Sequence, residues 1–196
     1  MSSYSNVLQE TRKMVSGYMS GLDPSHDMYH VDRVTNLARS IATDLSKENI
    51  IDLELVELAA LCHDVGDRKY YQGKETGGQL IKTFLSGLGY AKADIVADIV
   101  DHVGFSKELG WNDETDDAAK VKWRNSCLEL HAVQDADKLD AIGAFGILRC
   151  AAFSGAKNRP LYVPEHVAIQ NITQQDYLDE SNANNSAITH FHDLNR

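Results

Sequence analysis

Residues 53–67 read LELVELAALCHDVGD. Leu53, Leu55, Val56, Leu58, Ala59, Ala60 and Leu61 leave almost no polar side on a helix of 3.6 residues per turn, so this helix has to lie at the centre of a packed domain. It ends within a turn on His63 and Asp64, with Gly66 as a stop signal. An ionised aspartate is costly to bury unless a partner charge or a metal compensates it. The most apolar helix of the chain therefore terminates in groups that need a counter-charge from elsewhere.

The remaining sequence is also helical in its periodicity. Val7, Met14, Val15, Tyr18 and Met19 mark a first helix that ends near Gly21 and Pro24, and Val31, Val34, Leu37, Ala38, Ile41 and Leu45 mark a second. The polar stretch GDRKYYQGKETGG reads as an exposed loop before a helix over roughly 79–87, and AKADIVADIVDHVGFS gives another. The acidic run WNDETDDAAK reads as a solvated loop or helix start. From Leu128 to about Phe153 the spacing predicts one long apolar helix interrupted by Asp135, Asp137, Lys138 and Asp140, with Gly143 and Gly146 allowing close packing. Beyond Gly155 the chain is loop-like, with Pro160 and Pro164 opposing helix, until SAITHFHDLNR. Neither a strand pattern nor an internal repeat emerges. The expected fold class is all-α.

The chain has 196 residues, which suits one domain, and 43% hydrophobic residues are enough for a core. A net charge of -10 argues against binding a nucleic acid polymer or an anionic membrane surface. A small phosphorylated ligand stays open, because a local metal or a few lysines can reverse the field inside a pocket. Cys62, Cys127 and Cys150 show no CxxC spacing and lie in apolar contexts, which reads as reduced, buried thiols of a cytosolic protein. The N-terminus lacks a basic segment followed by an apolar run, and no stretch of 18 apolar residues occurs, so the expectation is a soluble cytoplasmic protein. A helical surface of this kind could support a homodimer.

Three short segments concentrate acids and imidazoles: SHDMYH at 25–30, CHDVGD at 62–67 and QDADKLD at 134–140. His63 and Asp64 project about 100° apart on a helix and can flank one ion. His30 and Asp135 could complete a two-histidine, two-aspartate set. The alternative is a salt-bridge network in which Arg33, Lys69 or Lys138 neutralises the aspartates, and spacing alone leaves both open.

The order His30, His63-Asp64, Asp135 resembles the H…HD…D signature of the HD-domain metal-dependent phosphohydrolases. HDMYHVDRVTNLA, ALCHDVGDRKY, GKETGGQLIKTFLSGLGY, IVDHVGFS, QDADKLDAIGAFGILR and GAKNRPLYVPE follow one another as in its bacterial YedJ/YpgQ-like branch. The resemblance implies one HD domain over residues 1–196, built as a bundle of helices around one metal pocket. The family's further helix beyond about residue 190 has no counterpart in this sequence. The implied metal ligands are His30, His63, Asp64 and Asp135, holding one divalent ion. The mixed nitrogen and oxygen set suits Mn²⁺ first, with Fe²⁺, Co²⁺, Ni²⁺, Mg²⁺ and Zn²⁺ also compatible. The implied reaction is hydrolysis of a phosphoanhydride or phosphoester bond in a nucleotide, with pyrophosphate release from nucleoside triphosphates as the leading form. A phosphomonoesterase or cyclic-nucleotide phosphodiesterase on the same metal is the alternative reaction. A nucleotide-binding regulator with little turnover and a metal-free helical scaffold are the alternatives of other classes. The GYP motif of cyclic-di-nucleotide phosphodiesterases is absent, so that activity is not implied.

Other residues acquire candidate roles around this centre. Asp67, three residues past Asp64, could orient or deprotonate the water, or simply bond to loop backbone. Lys69 and Lys138 could bind phosphate as point charges, although Lys138 could equally pair with Asp137 or Asp140. Arg33 is a candidate phosphate group or a structural partner of an aspartate. His102 could steady a phosphate or protonate a leaving group, or else cap a helix. Asn158 and Arg159 lie in a loop that resembles a pocket lid and are candidates for substrate binding. His26 and Asp27 are read mainly as a helix start, and His190 matches a recurrent family histidine.

Overall fold

The computed structural model describes residues 3–179 and 186–194. The helices are α1 (Tyr4–Met19), α2 (Met28–Leu45), α3 (Leu53–Cys62), α4 (Gly77–Gly87), α5 (Ala93–His102), α6 (Phe105–Glu108), α7 (Ala118–Ser126), α8 (Leu128–Asp140), α9 (Gly143–Ala156), α10 (Gln174–Leu178) and α11 (Ala187–Leu194). No strand occurs among the described residues, and the fold is all-α. No single helix among them is long and apolar enough to cross a membrane.

The apolar run of 53–61 lies where its composition demands. α3 packs against α1, α2, α5 and α8, and Leu55, Val56, Leu58, Ala59, Ala60, Leu61 and Cys62 are all buried. Asp52 fixes where this helix begins: its side chain accepts from the Leu55 amide at 3.1 Å and pairs with Lys92. Asp52→Ala should therefore cost about 0.5–2 kcal/mol of stability, read as a lowered urea midpoint with an unchanged slope. Similar local devices start the helices on either side. Asp27 caps α2 through the His30 amide, and Thr76 with Gln79 forms a reciprocal capping box on α4.

One expectation needs correction. The stretch from Leu128 to Phe153 is not one helix: α8 and α9 meet at 74°. Gly143 sits at φ +62, a conformation that side chains with a Cβ disfavour. A Cβ on Gly146 would lie 2.1 Å from the Ala141 carbonyl oxygen, so the two glycines make the corner rather than easing the packing of a straight helix. The acidic run, expected as a solvated loop or a helix start, leads into α7. Asp113 and Asp116 pair with the fully buried Arg124, whose guanidinium stacks on Trp111 at 4.8 Å, while Asp117 caps α7. The three cysteines are free, but only Cys62 is fully buried.

Candidate metal centre and active site

The ends of three helices converge on one point. His30 is in the first turn of α2, oriented by the Asp27 cap, and is completely buried. His63 follows the last turn of α3, and its Nδ1 lies 2.7 Å from the Ala60 carbonyl oxygen. A carbonyl only accepts, so the proton is on Nδ1 and Nε2 carries a lone pair. His30 Nδ1 lies 2.8 Å from Asp140 Oδ2. Asp140 also accepts from Arg33 Nε at 2.7 Å and from a second Arg33 nitrogen at 2.9 Å, and Arg149 approaches at 3.3 Å. Burial alone would raise the Asp140 pKa, but the hydrogen bonds from His30 and Arg33 outweigh it and hold the carboxyl well below the usual range. Asp140 is thus an ionised acceptor that fixes the His30 proton on Nδ1 and turns Nε2 inward.

The two inward nitrogens lie 3.2 Å apart. Asp64 Oδ2 is 3.2 Å from His30 Nε2 and 3.4 Å from His63 Nε2, and Asp137 Oδ1 is 3.8 and 3.7 Å from the same two atoms. Asp64 Oδ2 is buried without a hydrogen bond. Donors of this kind around one ion at about 2.0–2.2 Å stand about 3.0–3.5 Å from each other, close to these separations. Lone pairs and carboxylates facing one another repel unless a cation sits among them. The pull for positive charge shows in His30 itself: burial opposes protonation, yet the carboxylates of Asp140 and Asp64 raise its pKa. The His30, His63 and Asp137 cluster fits a divalent metal ion.

The HD domain family pattern matches residues 28–142, which include all of these groups. The chain belongs to the HD-domain family. It is accordingly a metal-dependent phosphohydrolase. The Bacillus subtilis protein YpgQ is 36% identical over 165 residues, an alignment covering 82% of this chain and 72% of the relative. Among solved structures, a Lactobacillus plantarum protein superposes with TM-score 0.73 at 28% identity, covering 98% of this chain and 80% of the other. The Bacillus subtilis YpgQ complex with ADP superposes with TM-score 0.63 at 29% identity, covering 97% and 78%.

The structure brings Asp137, and not the expected Asp135, to this cluster. Asp135 is exposed and lines a separate shallow hollow with Ile41, Lys138, Leu139 and Ile142. Two residues along a helix turn about 200°, so Asp135 and Asp137 cannot face the same ion from α8. The buried positions Leu130, Val133 and Ala136 mark the inward side, which the spacing of Asp137 and Asp140 extends.

The other candidates divide between the site and its surroundings. A cavity of about 980 Å³ opens beside the HD cluster and is lined by His63, Asp64 and Asp137 together with Asp67, Lys69, His102 and Arg159. Asp67 Oδ1 accepts from the Lys69 amide at 2.7 Å. Lys138 is exposed, donates to Glu108 at 2.6 Å and does not line this cavity. Arg33 pairs with Asp140, the structural aspartate partner that was its alternative reading, and stacks on Phe145 at 4.5 Å. Asn158 is exposed with φ 55, and the next amide, Arg159 N, donates to Ser154 O at 2.8 Å. It terminates α9 in a left-handed conformation that asparagine tolerates and does not reach the cavity.

His102 is poorly suited to protonate a leaving group. Its Nδ1 is 2.6 Å from the Asp98 carbonyl oxygen, so the ring proton is spent there, and Nε2 is buried without a partner against Trp123. Burial lowers its pKa further.

Three further groups line the cavity, of which only Lys107 was absent from the sequence reading. Lys107 lines the cavity with its amine bonded to the Val100 carbonyl at 2.7 Å, and burial lowers its pKa. His26 is buried and faces the cavity rather than only starting α2. His190 lines it from α11, and burial, then the charges of Lys69 and Arg159, push its pKa down to about 4. A histidine depressed from 6.5 to about 4 takes up its proton more readily unfolded, so its contribution to stability is complete above the ordinary value and lost as the pH falls towards 4. The melting temperature should drop across this window, and His190→Gln should flatten that part of the profile. An equally steep decline in the variant would remove His190 as its source.

Proposed function

We propose that this HD-domain protein is a nucleoside triphosphate pyrophosphohydrolase whose divalent ion is held by His30, His63, Asp64 and Asp137. The observation that carries the proposal is the meeting of two imidazole lone pairs with the buried, unbonded Asp64 Oδ2. Mixed nitrogen and oxygen donors favour Mn²⁺ or a neighbouring first-row ion. The ion, when bound, supplies Lewis-acid activation of water and of the phosphoryl group. The chain's own part is to orient the donors through Asp140 and Ala60 O, and to receive the water's proton at Asp67, which lines the same cavity. The cavity has room for a nucleotide. The complex of YpgQ with ADP supports a nucleotide as ligand.

The test is a panel of nucleoside mono-, di- and triphosphates and cyclic nucleotides incubated with the manganese-loaded protein, with pyrophosphate and orthophosphate measured separately. Pyrophosphate and the monophosphate should appear in equal amounts from a triphosphate. Release of orthophosphate alone would replace this reading with a phosphomonoesterase, and opening of a cyclic nucleotide with a phosphodiesterase.

A further inference from the structure

Apart from the metal cluster, one cavity wall gathers positive charge on aromatic faces. The Lys69 amine lies 5.9 Å from the centre of the Phe153 ring, and the Arg159 guanidinium lies 5.0 Å from the same ring. His190 stacks on Tyr177 with ring centres 6.1 Å apart and planes inclined at 27°. Among the described residues, neither Lys69 nor Arg159 has a carboxylate at ion-pair distance. The same chain carries a charge of -10 and pairs Arg12, Arg39, Lys82, Lys92, Arg124 and Lys138 with acids. The charges of Lys69 and Arg159 both act on His190, and an anion bound between them would be attracted by both.

Lys69 is aimed by a relay. Tyr70 donates its hydroxyl proton to Asp23 Oδ2 at 2.7 Å, and Ser25 donates to Asp23 Oδ1 at 2.5 Å. Both hydroxyl oxygens therefore accept from His26 Nδ1, at 3.0 and 2.7 Å. That places the imidazole lone pair on Nε2, 3.4 Å from the Lys69 amine. Burial and the Lys69 charge keep His26 neutral, pushing its pKa down to about 3. One ammonium proton is thus held by His26, and two remain for a ligand. The His26 ring centre is 6.0 Å from that of His30, so a single imidazole separates this ammonium from the metal cluster.

We infer that Lys69, Arg159 and His190 form a second anion site that holds the terminal phosphates of a nucleoside triphosphate and so selects pyrophosphate as the leaving group. This rests on the triphosphate reading given above. Lys69 and Arg159 supply charge, and neutral His190 supplies one N–H donor. A bond forms between the water oxygen and the α-phosphorus. The bond from the α-phosphorus to the bridging oxygen breaks, and its electron pair leaves with pyrophosphate onto these residues. The water's proton passes to Asp67 and then to solvent.

The experiment is calorimetric titration of the manganese-loaded protein with inorganic pyrophosphate at matched free Mn²⁺. Lys69→Met and Arg159→Met should each weaken binding by about tenfold or more, the effect of losing a charge-assisted hydrogen bond, with bound metal unchanged. His26→Phe should weaken it similarly, whereas His26→Gln, which restores an acceptor for the lysine, should bind close to the parent. A merely structural role for His26 would not separate the last two variants. The anion site is overturned if the parent does not bind pyrophosphate, or if Lys69→Met and Arg159→Met bind it as tightly as the parent. Binding that depends on these residues, in a protein that releases no pyrophosphate from any triphosphate, would instead uphold the site and sink the proposed reaction.

Discussion

Asp137→Ala should empty the metal centre and lower phosphohydrolase turnover by about a thousandfold or more, whereas Asp135→Ala should leave both within about twofold. The magnitude follows from losing several kcal/mol of charge stabilisation at the reacting phosphorus, at about 1.4 kcal/mol for each tenfold. The contrast follows from the geometry of α8. Asp137 Oδ1 lies 3.7–3.8 Å from both inward imidazole nitrogens, while Asp135 is exposed beside Ile41 and Leu139. Metal content of the purified variants, measured by plasma mass spectrometry, comes first, and turnover of the best triphosphate follows. Metal retained by Asp137→Ala and lost by Asp135→Ala would mean that α8 presents its other side to the ion.

This pair also shows what the sequence could and could not convey. The all-α fold was legible because apolar spacing reports which side of each helix is buried, and His63 and Asp64 were legible because they end the most apolar helix. The acids of QDADKLD could not be told apart by type. Only the phase of the helix separates them, through Leu130, Val133 and Ala136 on the buried side. Reading 128–153 as one continuous helix hid that phase, because the break at Gly143 depends on a positive φ and on a carbonyl packed against Gly146. Lys138, Asn158 and Arg33 were chosen for chemistry that their types can perform, with an aspartate partner as the alternative for Arg33 and Lys138. Their actual partners are Glu108, the end of α9, and Asp140. Those choices depend on long-range contacts that no local pattern encodes. Of the proposed anion site, Lys69 and Arg159 were named from the sequence, but the His26 relay required knowing that Asp23 consumes both neighbouring hydroxyl protons.

Asp140→Ala should weaken metal binding by about 10–100-fold, although Asp140 is not among the proposed ligands. Three effects act together. His30 loses the carboxylate that fixes its proton on Nδ1, so the tautomer with the proton on Nε2 competes, and that tautomer has no lone pair for the ion. Arg33 loses a two-point partner, and Arg149, with a side chain only 14% exposed, loses its nearby negative charge. Leaving such a cation unpaired costs about 3–5 kcal/mol in a buried site, so the variant should also melt at a lower temperature. Asp140→Asn separates the contributions. Its amide oxygen can still accept from His30 Nδ1, but it carries no charge for the arginines, so metal affinity should recover more than thermal stability does. The measurements are a competitive metal titration with a chromophoric chelator and a thermal melt of the chelator-treated protein. Equal metal affinity in Asp140→Ala and the parent would show that His30 is oriented by its packing and the Asp27 cap alone, and would confine Asp140 to neutralising the two arginines.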